Sequence, residues 1–255
     1  MQVDLSGKVA IVTGSGNLRG IGATYARALA EQGAAVVVAD VNEAGAASVA
    51  EQLRSEGLPA VAQAADITSR ESVQALMDRA RTEFGGVDIL VNNAALMADM
   101  EMTPVYSYPY DEWQRVLGVN LTGAFNCCQA VVPLMQERGG GRIVNQSSGG
   151  AFPPQGVYGI TKLGVVALTV ALARELGTFN INVNAIAPGH VVTEASSKIA
   201  PEGSDFHTMI MNAAPRGGSR HPEALVGALL LLVSAEGEWM TGQTLNVDGG
   251  WVTRI

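Results

Sequence analysis

The chain has only two cysteines in 255 residues, Cys127 and Cys128, and they are adjacent. Neighbouring cysteines cannot build the disulfide framework of a small secreted domain. The pair reads instead as reduced residues on a buried helix face. Basic residues are also scarce: 16 Lys and Arg stand against 24 Asp and Glu, a net charge of −8. Nucleic acid is therefore not an expected partner. No apolar run free of Gly and charge approaches about 18 residues, so no membrane span is expected. The start, Met1-Gln2-Val3-Asp4-Leu5-Ser6-Gly7-Lys8, lacks a basic region followed by a long apolar one. The expectation is a cytoplasmic protein. The three histidines, His190, His207 and His221, are scattered without ligand spacing, so no metal is expected. The 30 glycines follow no period, which excludes a collagen-like or low-complexity chain.

What remains is a chain that is 47% hydrophobic and long enough for one large core. Seven short apolar runs recur along it: Val9 to Thr13, Ala35 to Ala39, Ala60 to Ala64, Ile89 to Val91, Arg142 to Asn145, Ile181 to Ile186 and Thr244 to Val247. Most are continuous rather than alternating, as in strands covered on both faces. Helical spacings fill the gaps: Ile21 to Gln32, Glu43 to Glu56, Glu71 to Phe84, Asp111 to Glu137, Val157 to Leu176 and Pro222 to Val233. Thr68 with Glu71 has the form of a capping box. Pro133 is expected to kink or end the fourth helix, and Pro222 suits a first turn. This β–α–β order predicts a single α/β domain over 1–255, a doubly wound parallel sheet with helices on both faces. Two stretches read as irregular, Met97 to Tyr110 and His190 to Arg220. Both follow strand ends, where ligands bind in open α/β sheets.

The first strand runs into Thr13-Gly14-Ser15-Gly16-Asn17-Leu18-Arg19-Gly20-Ile21-Gly22. Gly14, Gly16, Gly20 and Gly22 permit a tight turn and close approach to a pyrophosphate, and the helix starting near Ile21 favours its charge. No Gly-Lys-Ser/Thr ending of an ATPase loop follows. Asp40 ends the second strand, where a carboxylate can bind the adenosine ribose hydroxyls and repel the extra phosphate of NADP. Arg19 pulls the other way, as a flexible cation beside the loop. Asp40 outweighs it, and NAD is expected over NADP. Asp66 after the third strand can bind the adenine amino group or cap a helix. Tyr158 and Lys162 lie four apart at the start of a helix and so share one face. A nearby ammonium lowers a phenol's pKa from about 10, which suits Tyr158 to proton transfer.

With Asn92-Asn93-Ala94-Ala95, Asn120, Ser147-Ser148, Pro188-Gly189 and Asp248-Gly249-Gly250, the chain resembles the classical short-chain dehydrogenase/reductase family from about Leu5 to Trp251. The resemblance implies a Rossmann-like seven-stranded parallel sheet, hydride transfer with NAD or NADP, and a homotetramer. By it, Tyr158 is the general acid/base, Lys162 tunes Tyr158 and holds the nicotinamide ribose, Ser148 polarises the substrate oxygen, and Asn120 bends a helix. Ile67, Asn93 and Ala94 would lie along the cofactor. Ile186 to Gly189, with Val191 and Thr193, would line the nicotinamide end.

Three departures stand out. Five residues separate Gly14 from Gly20, a long loop whose tip must bulge outward or shift its contact to Gly16. Ala95 replaces a usual glycine. Ser148 and Tyr158 are closer than usual, so Tyr106, Tyr108 and Tyr110 are expected to supply a wall of the substrate site. Residues 190–220 read as a lid containing Phe206, Met209, Ile210 and Met211, which suggests an apolar or semi-apolar substrate. The expected reaction interconverts a secondary alcohol and a ketone. Alternatives within the family are a 3-oxoacyl-carrier-protein reductase and a cis-dihydrodiol, sugar or hydroxysteroid dehydrogenase. A non-catalytic NAD-sensing or scaffold protein is the alternative outside enzymology.

Overall fold

The computed structural model describes residues 2–98, 100 and 103–253. Asp99, Glu101 and Met102 of the first irregular stretch lie outside the described residues, as do the side chains of Phe206 and Ile210. Seven parallel strands form one sheet: β1 Val9–Thr13, β2 Ala35–Asp40, β3 Ala60–Ala64, β4 Ile89–Asn92, β5 Gly141–Gln146, β6 Ile181–Pro188 and β7 Thr244–Val247. Their order is β3-β2-β1-β4-β5-β6-β7. Alternate residues of each strand enter two different cores. Ala10, Val12, Val36 and Val38 face α1 Ile21–Glu31, α2 Glu43–Ser55 and α9 Val226–Val233. Val9, Ile11, Val37 and Leu90 face α3 Arg70–Phe84, α5 Ala124–Glu137 and α6 Gly156–Leu176. Burial on both faces explains why the strands read as continuous apolar runs. Cys127 and Cys128 lie in the second core, where burial raises both thiols, Cys128 to about 12.

Three local expectations are corrected. The helix expected from Asp111 to Glu137 is interrupted at Gly118–Gly123, a π-helical segment between α4 Tyr110–Leu117 and α5, whereas α5 runs through Pro133. The cap of α3 is Ser69, whose side chain accepts from the Ser72 amide, because the Thr68 hydroxyl is donated to Asp66 instead. Pro222 does take the first turn, as a 3₁₀ turn that runs into α9. The second irregular stretch contains two helices, α7 Glu194–Ile199 and α8 Asp205–Ala213. Their signals were present but short: a Thr193/Ser196 capping box, and Ser204 before Asp205. The stretches 110–137 and 156–179 are long and apolar enough to cross a bilayer by composition. Here they lie against the sheet and carry buried Asn120, Asn126, Thr161, Lys162 and Thr169, which accounts for their length by packing.

Candidate active site

β1 has β2 on one side and β4 on the other, so the chain changes winding direction there. The crevice outside the strand ends at such a point is the expected ligand site. It is an open cavity of about 1240 Å³, larger than the roughly 300–1,000 Å³ typical of a small-ligand pocket. Gly14 forms part of its floor, and Gly22 of α1 packs against Gly14. Gly14 has φ +64°, and a Cβ there would stand 2.5 Å from Ala94 Cα. A Cβ on Gly22 would stand 2.3 Å from the Gly14 carbonyl oxygen. Asn93 locks this floor by donating to the carbonyls of Thr13 (3.1 Å) and Gly14 (2.8 Å). The Thr13 hydroxyl accepts from the amides of Asn93 and Ala94.

The long loop bulges outward. Asn17, Leu18 and Arg19 are exposed at its tip, and Asn17 reaches across to Glu194 of α7 (3.2 Å). Gly14, Gly20, Ile21, Asp40, Asp66, Ile67, Asn93 and Ala94 line the cavity, whereas Gly16, Arg19 and Gly22 do not. Gly16 instead donates its amide to Asp40 (2.7 Å), whose other oxygen accepts from the Asn42 amide (2.9 Å). The carboxylate is thereby fixed at the cavity wall, while the Arg19 side chain is at the outer tip. Asp66 lines the cavity and also caps its own turn, accepting from Thr68. Ala95 is exposed along the cavity, so its extra methyl presses on no helix.

The same cavity is lined by Ser148, Tyr158, Lys162, Pro188, Gly189, Val191 and Thr193. The two serines divide their work. Both line the cavity, but the buried Ser147 hydroxyl is donated to the Lys162 carbonyl, whereas the Ser148 hydroxyl oxygen accepts from the Gly150 amide. Lys162 is 2% exposed, with its ammonium donating to the Gln146 carbonyl (2.8 Å), 5.6 Å from the centre of the Tyr158 ring. Burial pulls Lys162 down to about 8. The same burial pushes Tyr158 up to about 12, opposed by a hydrogen bond with Ser148. The direction for Tyr158 is thus the reverse of the sequence expectation, because desolvation of the phenolate outweighs the ammonium at this distance.

Asn120 does not line the cavity. It lies buried in the π segment, accepting from the Leu96 amide and donating to the Leu96 carbonyl and the Thr161 hydroxyl, next to Lys162. Thr193 uses its side chain to cap α7. The tyrosine wall is not formed: Tyr106 is 93% exposed, and Met97, Met100, Thr103 and Pro104 line that side instead. Trp251 lines the cavity and packs on Gly149; a Cβ there would be 2.7 Å from its ring.

A family model described as enoyl-(acyl carrier protein) reductase matches residues 14–252. The chain belongs to the classical short-chain dehydrogenase/reductase family. It is 45% identical to an uncharacterised oxidoreductase of Mycobacterium tuberculosis, over 97% of this chain and 98% of that one. It is 36% identical to the D-threitol dehydrogenase of Mycolicibacterium smegmatis, over 98% and 95%. A gluconate 5-dehydrogenase from Burkholderia cenocepacia, solved with NADP and tartrate, superimposes with a TM-score of 0.91 at 36% identity, covering 99% of this chain and 98% of that one. The chain is an NAD(P)-dependent oxidoreductase of this family.

Proposed function

We propose that this dehydrogenase prefers NAD and interconverts a secondary alcohol and its ketone, with Tyr158 as general acid/base. The presence of Ser148, Tyr158 and Lys162 in the same cavity as the glycine turn carries this reading. The cofactor fits what is present: a floor that no Cβ would allow, and a carboxylate held at the wall. Gly14, Gly20 and Ile21 would hold the pyrophosphate, Asp40 the adenosine ribose, and Lys162 the nicotinamide ribose. When bound, the nicotinamide supplies or accepts the hydride, and its oxidised form brings positive charge that favours the Tyr158 phenolate.

Tyr158 gives a proton to the ketone oxygen, or takes it from the alcohol. Ser148 donates to that oxygen as charge develops on it. Lys162 keeps a buried positive charge beside the phenol, and Asn120 holds Leu96 and Thr161 in place around it. At pH 7 the phenol is protonated, ready for ketone reduction; oxidation requires its loss and should speed up as pH rises. Exposed Phe125, Leu163 and Val170 on α5 and α6 support a homotetramer, and the acidic, cysteine-poor chain suits the cytoplasm.

A second reading is a carrier-protein-linked acyl reductase using NADP. The description of the family model favours it, as does the NADP in the gluconate dehydrogenase for that cofactor. Asp40 and the net charge of −8 weigh against it. Absorbance assays with NAD and NADP against a panel of secondary alcohols, diols and ketones test the proposal. Tyr158→Phe should slow single-turnover hydride transfer at least about 10²-fold with cofactor binding little changed. Near wild-type transfer in that variant would remove Tyr158 from the mechanism.

A further inference from the structure

Asn17 stands at the outer tip of the glycine-rich loop, four residues past the end of β1, and Glu194 opens α7, six residues past the end of β6. The Asn17 side-chain nitrogen donates to the Glu194 carboxylate (3.2 Å). β4 and β5 lie between β1 and β6 in the sheet, so this contact joins segments rooted three strand spacings apart, roughly 14 Å. Asn17 and Glu194 line the cavity together with Asn93 and Ala94, which follow β4, and Ser147 and Ser148, which follow β5. The contact therefore spans the cavity over the ends of the two middle strands. It closes a ring made of the sheet, the β1 loop, Asn17, Glu194 and the start of α7.

Both sides of the ring are braced. Asn17 Oδ1 accepts from the Arg19 amide (3.0 Å), and the Asn17 carbonyl accepts from the Gly20 amide (2.8 Å), which folds the tip into a turn of its own. Since Oδ1 is taken by an N–H, the amide nitrogen is the end left to reach α7. Across the cavity, Lys198 stands 3.6 Å from the other Glu194 oxygen, one helical turn on. Thr193 and Ser196 cap α7 reciprocally, and the Val192 amide donates to the Arg220 carbonyl. The length of the loop has a use here: with five residues between Gly14 and Gly20, its tip extends far enough to meet α7. A dinucleotide held by Asp40 at the end of β2 and by Lys162, whose carbonyl accepts from Ser147 after β5, runs along the strand ends. With its pyrophosphate at Gly20 and Ile21, it threads the ring.

We infer that the Asn17–Glu194 contact is a strap over the cofactor, and that the dinucleotide enters and leaves only when it opens. This rests on the cofactor site of the proposed function and not on the substrate. The strap is closed in the protein without ligand, and nothing in it is consumed by binding. It therefore slows entry and exit alike and leaves affinity nearly unchanged. Where release of the spent cofactor limits turnover, the strap sets kcat. A side chain that touched the cofactor would behave differently: its loss would speed dissociation alone and weaken binding.

Stopped-flow fluorescence with NADH tests the inference in wild type, Asn17→Ala, Glu194→Ala and the double variant. Each single variant should raise the association and dissociation rate constants together by roughly 2–10-fold, the worth of one hydrogen bond, with Kd little changed. The double variant should be no faster than either single one, because each already removes the whole contact. Unchanged rates in both single variants, a rise in dissociation alone, or effects that multiply in the double variant overturn the strap and leave the proposed function standing. A covalent version reads the ring directly: Asn17→Cys with Glu194→Cys, joined by a short bismaleimide while the native Cys127 and Cys128 stay buried. Joining before NADH is added should bar its entry, and joining afterwards should trap it; free exchange in the joined protein refutes the threading. Binding of NADPH alone would overturn the NAD preference, and the same rates read with NADPH then decide the strap. Binding of neither cofactor overturns the proposed function and this inference with it.

Discussion

Replacing Lys162 by methionine should make the protein more stable at pH 7 while disabling its chemistry. The Lys162 ammonium is 2% exposed, and burial takes its pKa from the ordinary 10.5 to about 8. At about 1.4 kcal/mol per pKa unit, holding that charge costs the fold on the order of 3 kcal/mol. Methionine fills similar space without charge. It forfeits the bond to the Gln146 carbonyl, worth about 1.5–3 kcal/mol for a charged donor. The balance is a gain of about 1 kcal/mol.

The pH dependence isolates the cause. Below pH 8 both folded and unfolded states carry the proton, and the full penalty applies. Between about 8 and 10.5 the unfolded state binds more protons, so wild-type stability rises with pH. Tyr158, raised to about 12, bears on stability only above the ordinary pKa of 10. Wild type should therefore gain on Lys162→Met by about 2 kcal/mol between pH 7.5 and 9.5, and overtake it. Urea unfolding at fixed protein concentration measures this. A variant less stable than wild type at pH 7, or a difference that does not move with pH, would refute the buried-charge reasoning.

Two further outcomes follow from the cofactor end. Asp40→Ala removes the acceptor of the Gly16 and Asn42 amides and the negative wall; NADPH binding should tighten relative to NADH by about ten-fold, one such interaction's worth. Fluorescence titration with both cofactors decides, and equal preference before and after the change would shift the role to Arg19. Gly22→Ala places a methyl 2.3 Å from the Gly14 carbonyl and 2.7 Å from Asn93 Nδ2. Overpacking of this kind costs about 1–3 kcal/mol, so a lower midpoint in thermal unfolding and weaker NADH binding should appear together. Unchanged values for both would show that the loop gives way freely.

The sequence determined the layers of this protein because burial on two faces writes itself into consecutive residues. β1, β3 and β7 coincide with their apolar runs to the residue, and Tyr158 and Lys162 share a face because a helix turns every 3.6 residues. Those signals are local. Tertiary structure alone decided what depends on distant segments meeting. It committed the Ser147 hydroxyl to the Lys162 carbonyl and set Ser148 against Tyr158, although neighbouring serines look alike in sequence. It brought the Asp40 carboxylate to the wall and left Arg19 at the loop tip. It brought Trp251 onto Gly149 and set His190 between Ser219 and His207. It also reversed the expected direction for Tyr158, because desolvation depends on how much protein surrounds a group, and no spacing along a chain records that.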